Sequence, residues 1–228
     1  MNIKPSKKME QKLREGRPLL TKPEHYFTIL RLAKEHPHIN FEMMSQAIFD
    51  AEFKKDTKKA EKFLERYYHH RKNLQTVSPK EWKALQKNFP KIARFIAHVA
   101  KNHKVYIATT KDKSSVMDLL KSYGINIPES NIFSKEFSKD KAIQLKEIAK
   151  RAKVPVSQIV LVEDALKQAQ KARSMGAKAV IVPYGYSTLK QRREAKKRGI
   201  SSLNPSSKKK ESKKLSRMIR QGRIGGRR

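Results

Sequence analysis

An α/β fold built on a parallel sheet is what this sequence predicts, with a helical subdomain ahead of the sheet and basic segments at both ends. Three observations predict it. Between residues 105 and 182, short apolar runs alternate with amphipathic helical stretches, the pattern of strands joined by crossover helices. Residues 23–75 keep three- and four-residue apolar spacing with no strand signal. The composition, 37% hydrophobic and 33% charged over 228 residues, supplies one core and a very wet surface, hence one to two domains.

The elements follow in order. Residues 1–22 are polar and basic, including Lys4, Lys12, Arg14 and Arg17, with only Met9, Leu13, Leu19 and Leu20 as anchors; they read as an arm or a frayed helix. Three apolar stripes then predict three helices: Tyr26, Ile29, Leu30 and Ala33; Phe41, Met44, Ile48 and Ala51; Ala60, Phe63, Leu64 and Tyr67. Ser78, Pro79 and Glu81 form a helix start, because serine can cap, proline suits the first helical position and Glu81 completes a capping box. Ile92, Phe95, Ile96 and Val99 mark another helix. The strands are Val105–Ala108, Asn131–Phe133, Ile159–Val162 and Ala179–Val182, with helices between them over residues 113–123, 139–152 and 165–175. Gly124 and Gly176 stand where left-handed helix stops are expected.

Charge bounds the function. There are 54 Lys and Arg against 21 Asp and Glu, a net charge of +33. Solubility needs only about 2–8 net charges on a small domain, so a polyanionic partner, RNA first, is the better account. With no cysteine, disulfides, zinc knuckles and thiol chemistry are excluded. No run reaches the roughly 20 apolar residues of a membrane span, and the first residues lack the apolar centre of a signal peptide. A cytoplasmic location is expected, with an organellar matrix left open. The basic residues are densest in 187–228, where Arg192, Arg193, Lys196, Lys197, Arg198, Lys208, Lys209, Lys210, Lys213, Lys214, Arg217, Arg220, Arg223, Arg227 and Arg228 are the candidate nucleic-acid contacts. Pro205 and its neighbouring serines read as a linker, and Gly222, Gly225 and Gly226 loosen the end. Such a segment is expected to be an extended tail that orders on RNA.

One set of motifs carries a family resemblance. Val105–Lys111 is an apolar strand ending in Thr109-Thr110-Lys111. Lys141 opens the helix Lys141-Ala142-Ile143-Gln144-Leu145, with Lys139 as the competing lysine. Val160-Leu161-Val162-Glu163-Asp164 is an apolar strand delivering two acids. In order and spacing these resemble the second, third and fourth motifs of the haloacid dehalogenase-like superfamily. The resemblance covers roughly residues 78–186 and implies a Rossmann-like parallel sheet of that type, with the helices of 23–77 as a cap-like insertion. The organisation read from the sequence is thus a basic arm at 1–22, a cap-like subdomain at 23–77, an α/β core at 78–186 and a basic tail at 187–228. It also implies that Thr109 holds a phosphoryl oxygen, that Lys141 neutralises nucleophile and phosphate, and that Asp164 with Glu163 serves magnesium.

The same resemblance exposes what is missing. The family's attacking aspartate ends a first strand that precedes the cap. The matching stretch here, Lys12-Leu13-Arg14-Glu15-Gly16-Arg17-Pro18, has Leu13 at the attacking position and no apolar strand before it; a leucine cannot do covalent phosphoryl transfer. Glu15 and Gly16 are possible remnants. Asp50, in Ile48-Phe49-Asp50-Ala51-Glu52, has the Asp-x-acid spacing, but its neighbours keep helical periodicity, which favours a solvated helix face. Gln168 stands where a second metal-binding acid is expected. Thr109, Lys141 and Asp164 have plain readings too, as a strand end, a surface lysine and a helix cap. In the family the first strand lies between the strands that are here 105–109 and 159–163. Without it those two must pair directly, or something else must fill the gap.

The expected function is therefore an RNA-binding protein on a degenerate catalytic fold, a component of or factor on a ribonucleoprotein, with ribosomal RNA and neighbouring ribosomal proteins as partners. No cofactor is expected. The rival is a phosphohydrolase with a displaced nucleophile, which would need Mg²⁺ and a small phosphoester or a nucleic-acid end; a third reading is a DNA-compacting protein.

Overall fold

In the computed structural model the chain is described over residues 6–85, 90–204 and 208–224, with the side chains of 83, 208 and 222–224 left aside. Lys4, Pro205, Gly225, Gly226, Arg227 and Arg228 lie outside the described residues, and Lys208, Gly222 and Arg223 are described by backbone only. The chain forms two compact units, residues Met1–Lys87 and Asn88–Arg228.

The regular elements of the first unit, among its described residues, are all helices. Helix α1 (Lys7–Gly16) starts at Ser6, whose hydroxyl accepts from the Met9 amide, and packs on α2 (His25–Glu35). Met9, Leu13, Leu19 and Leu20 are the anchors, joined with Ile29, Leu32 and Phe41 in one apolar cluster. The N-terminal arm is thus a packed helix from Lys7 onward, because these few apolar residues fall on one side of it. Gly16 lets α1 approach: a Cβ there would stand 2.4 Å from the Ile29 side chain. The end of the second predicted stripe, Ile48 and Ala51, and the whole of the third share one helix, α3 (Gln46–Val77), capped by Ser45, since nothing between Ile48 and Ala60 breaks a helix; Phe41 and Met44 precede it in a turn and loop. Arg31 ties α2 to α3 through Asp56 (2.8 Å) and Glu52 (2.7 Å), and the buried Asp56 also accepts from Thr28. Helix α4 (Pro79–Leu85) packs on α3.

The second unit is a helix–sheet–helix sandwich. Its strands are β1 (Ile107–Ala108), β2 (Ile132–Phe133), β3 (Val160–Glu163), β4 (Lys178–Ile181) and β5 (Ser201–Ser202). All pairings are parallel, but they form two sheets, β1-β2 and β3-β4-β5. The strands of 105–108 and 159–162 therefore do not pair, and among the described residues no strand stands between them. Val162, in the middle of β3, is 42% exposed.

Side chains alternate across the strands as a period of two requires. Phe133, Leu161, Ala179 and Ile181 meet α7 (Lys141–Ala152), α8 (Leu166–Ser174) and α9 (Leu189–Lys197) in one core that both sheets share. On the other face, Val180 and Val182 meet Phe95 of α5 (Pro90–Ala100) and Leu215 of α10 (Lys208–Ile224). Ile132 and Ile107 pack with Val116 and Leu120 of α6 (Lys113–Ser122). No described helix is long and apolar enough to cross a membrane.

The C-terminal segment corrects the expectation of an extended tail. Thr188 and Gln191 make a reciprocal capping box that starts α9. Ala195, Ile200 and Leu203 are buried, and β5 extends the sheet beyond β4. Leu215 and Met218 seat α10 on the sheet. So few apolar residues suffice because each lands on a surface the preceding fold has already built. Replacing Leu215 by Ala is expected to cost about 2–4 kcal/mol of unfolding free energy in urea titration. A solvated tail would change by no more than about 0.5 kcal/mol.

Candidate functional site

Three chain segments converge at the carboxyl ends of β1 and β3. The first is the strand end at Thr109. Its amide donates to Phe133 O at 2.9 Å, extending the β1-β2 ladder, and its hydroxyl accepts from the Lys111 amide at 3.1 Å. Its carbonyl accepts from Gln144 Nε2 at 2.9 Å, and that buried amide also donates to the carbonyls of Phe133 and Ser138. Gln144 thus pins the loop after β1 to the loop after β2 from the first turn of α7.

The second segment is the start of α7. Asp140 caps it, accepting from the Ala142 amide at 2.6 Å, and Lys171 of α8 meets the same carboxylate at 2.8 Å. The Lys171 hydrogen bond holds the Asp140 carboxyl below the usual range. This cap turns Lys141 inward. Its Nζ donates to Ala108 O at 2.6 Å and stands 3.5 Å from Glu163 Oε2, with both side chains largely buried. The ammonium therefore bridges the end of β1 to the end of β3, across the seam where the two sheets do not pair.

The third segment is the end of β3. Glu163 Oε1 accepts from the amides of Asp164 (3.0 Å) and Ala165 (3.3 Å), so Glu163, rather than Asp164, takes the backbone donors leading into α8. Asp164 Oδ2 accepts from the Tyr186 amide at 3.0 Å. Gly185 makes that contact possible. Its φ is +71°, and a Cβ there would lie 1.8 Å from Asp164 Oδ2. Burial raises the Asp164 carboxyl to about 6, helped by the neighbouring Glu163 carboxylate. Burial, with Asp164 beside it, pushes the Tyr184 hydroxyl up to about 12.

Lys141, Glu163 and Asp164 are thus one connected group, with Thr109 one residue beyond the Ala108 carbonyl that Lys141 holds. Lys139, the competing lysine, is one residue before the Asp140 cap. Asp50 belongs to the first unit, inside α3, where it accepts from Gln46 Nε2 at 2.8 Å. Gln168 lies in the first turn of α8, its Oε1 buried without a hydrogen-bond partner. Gln144 is the contributor that sequence reasoning passed over; a polar residue on the buried side of α7, next to Leu145 and one turn before Ile148, was the available signal.

Magnesium requires hard oxygen ligands in a near-octahedral set. Here both Glu163 oxygens are engaged, one Asp164 oxygen is held by the Tyr186 amide, and the Lys141 ammonium stands beside Glu163. Among the described residues no group of three or more His, Asp or Glu is arranged to hold a metal. As arranged, this donor set does not fit the ion.

A family model described as haloacid dehalogenase-like hydrolase matches residues 25–182, from the first turn of α2 to the residue after β4. No curated protein and no solved structure matches the chain.

The raised Asp164 carboxyl has a pH signature. An unfolded aspartate ionises near 3.8, whereas the folded one holds its proton to about 6. The folded state then binds more protons across that window, so this group's contribution to stability falls as pH rises through it. Asp164→Asn keeps an acceptor for Tyr186 and removes the titration. Urea titrations from pH 4 to 7 should show the variant gaining roughly 1–2 kcal/mol on the wild type as pH rises. Parallel curves would mean that Asp164 titrates normally.

Proposed function

The chain belongs to the haloacid dehalogenase-like hydrolase family, and we propose that within it this protein acts as an RNA-binding component of, or factor on, a ribonucleoprotein such as the ribosome. One observation carries the reading: a net charge of +33 whose densest part is set out on the exposed faces of folded helices. Along α10, Lys210, Lys213, Arg217 and Arg220 recur at three- and four-residue spacing and are exposed, while Glu211, Ser212 and Leu215 face inward. At 1.5 Å per residue these four charges line about 15 Å of helix. On α9, Arg193, Lys196 and Lys197 are exposed as well. Of the acids nearby, Glu194 pairs with Arg198, and Glu211 is buried with its Oε2 4.0 Å from the Lys214 ammonium. A rigid, unopposed row of cations releases counterions from a nucleic-acid backbone on binding, which is where most of the affinity of such contacts originates.

The catalytic side supports the same reading. The described residues before Ile107 contain no strand on which an attacking aspartate could be delivered. Lys141, the residue that in the family faces nucleophile and phosphate, is committed to Ala108 and Glu163. On this reading the group around Asp164 holds the core together, and RNA is met on the helices beyond the family match, in a reducing, cytoplasmic setting.

Because α10 is part of the core, the test uses charge substitutions rather than deletion. The full chain should bind a fluorescein-labelled 20-nucleotide single-stranded RNA in anisotropy titrations, with affinity falling steeply with salt. Lys210→Glu, Lys213→Glu and Arg217→Glu together should weaken binding at least tenfold at 150 mM salt and lower the slope of log K against log salt by about 2. Unchanged affinity would sink the proposal, and equal competition by DNA would point to the compaction reading. Robust Mg²⁺-dependent hydrolysis of a generic phosphoester, lost in Asp164→Asn, would establish the phosphohydrolase instead.

A further inference from the structure

At the end of the sheets opposite the Lys141 group, two loops enclose a cleft of about 370 Å³. One loop joins α5 to β1 and supplies Lys101, His103 and Lys104. The other runs between α6 and β2 and supplies Asn126 and Ile127. The volume falls in the lower part of the range occupied by small-ligand sites. No carboxylate lines it. Near the end of α5 the carbonyls of His98 and Val99 accept from the amides of Lys101, Asn102 and His103, which fixes this loop. The floor is apolar, from Val105 and the buried Ile127, and the exposed Asn126 stands at its margin.

This cleft adjoins α10. His103 Nε2 and Ser216 Oγ are 2.8 Å apart. Ser216 sits between Lys213 and Arg220 on the helix, beside Arg217, all three exposed. A strand tracking the basic row on α10 therefore arrives at the cleft's mouth.

We propose that the cleft is a nucleotide-binding site that receives one splayed-out nucleotide of a single-stranded RNA lying along α10. The phosphate sits on Lys101 and Lys104, the base rests on Val105 and Ile127, and the Asn126 amide meets a base edge. Amide groups can both donate and accept, and unstacked bases offer such edges only in single-stranded segments. The proposal rests on the RNA-binding reading for the source of the nucleotide. It adds a localised site to what α10 alone would make a purely backbone contact.

The test uses the full chain and two probes, a labelled 12-nucleotide oligouridine and uridine 5′-monophosphate. Lys101→Ala with Lys104→Ala should weaken oligouridine binding about 5- to 30-fold. Lys58→Ala with Lys59→Ala, which removes the same charge from exposed positions on α3, should change it no more than about 2-fold. Uridine 5′-monophosphate should shift the side-chain amide resonances of Asn126 and Asn131 in nuclear magnetic resonance spectra, and should not do so in the Lys101/Lys104 variant. Equal effects of the two lysine pairs, or no shift with the monophosphate, overturn the cleft and leave RNA binding by α10 standing. Failure of the wild-type chain to bind any oligonucleotide overturns the RNA reading, and the cleft proposal with it.

Discussion

The Lys141 ammonium sits at the seam between two parallel sheets whose strands do not pair with one another, and it joins their carboxyl ends. It holds Ala108 O at the end of β1 and faces Glu163 at the end of β3. A largely buried ion pair of this kind contributes little net stability, yet removing one partner typically costs about 3–5 kcal/mol because the other is left uncompensated. That asymmetry explains why the neighbouring geometry is so constrained. Glu163, held by Lys141, turns its other oxygen onto the amides entering α8. Asp164 is then directed to the Tyr186 amide, and the close approach there admits only glycine at 185. Gln144, one turn along from Lys141, repeats the device with a neutral side chain, gathering three carbonyls from both loops of the β1-β2 sheet.

On the proposed reading, Lys141, Glu163 and Asp164 stand at the family's motif positions in another use. What differs is which groups they satisfy. A lysine that neutralises a phosphate must leave its charge available, whereas Lys141 is already shared between a carbonyl and a carboxylate. A metal-binding acid must present open oxygens, whereas Asp164 is half-buried with one oxygen held by the Tyr186 amide. Exposed positive charge lies elsewhere, on α9 and α10, where acids are few and Glu194 is paired with Arg198. One end of the sheet is thus electrostatically closed, while the other carries open lysines and the cleft beside α10.

The sequence made the second unit's alternation legible because its strand signals are strong: Val160–Val162 and Ala179–Val182 are continuous apolar runs, and Gly124 and Gly176 end their helices with positive φ. The motif residues Thr109, Lys141, Glu163 and Asp164 could be picked out because an apolar strand followed at once by a polar residue marks a carboxyl-end loop. The residues after 186 could not be read this way. Ser201 and Ser202 have no strand propensity, and pair because β4 presents a free edge to them. Leu215 and Met218 are isolated in a basic run, and their burial depends on Phe95, Val180 and Val182, far away along the chain. Similarly, the apolar stripes before residue 75 identified helices but not that Ile48 and Ala51 share a helix with the third stripe while Phe41 and Met44 precede it.

By itself, then, the sequence determined the fold class, the family and the chain's own strong positive charge. These rest on local periodicity, on ordered motifs and on a sum over residues, none of which needs coordinates. Only the tertiary structure decided that the basic C-terminal segment is a folded layer, that β1 and β3 stand unpaired with a lysine between them, and that Lys101, Lys104 and Asn126 line a cleft beside α10. Each of those depends on groups distant in sequence meeting in space, where burial and hydrogen-bond satisfaction override local propensity.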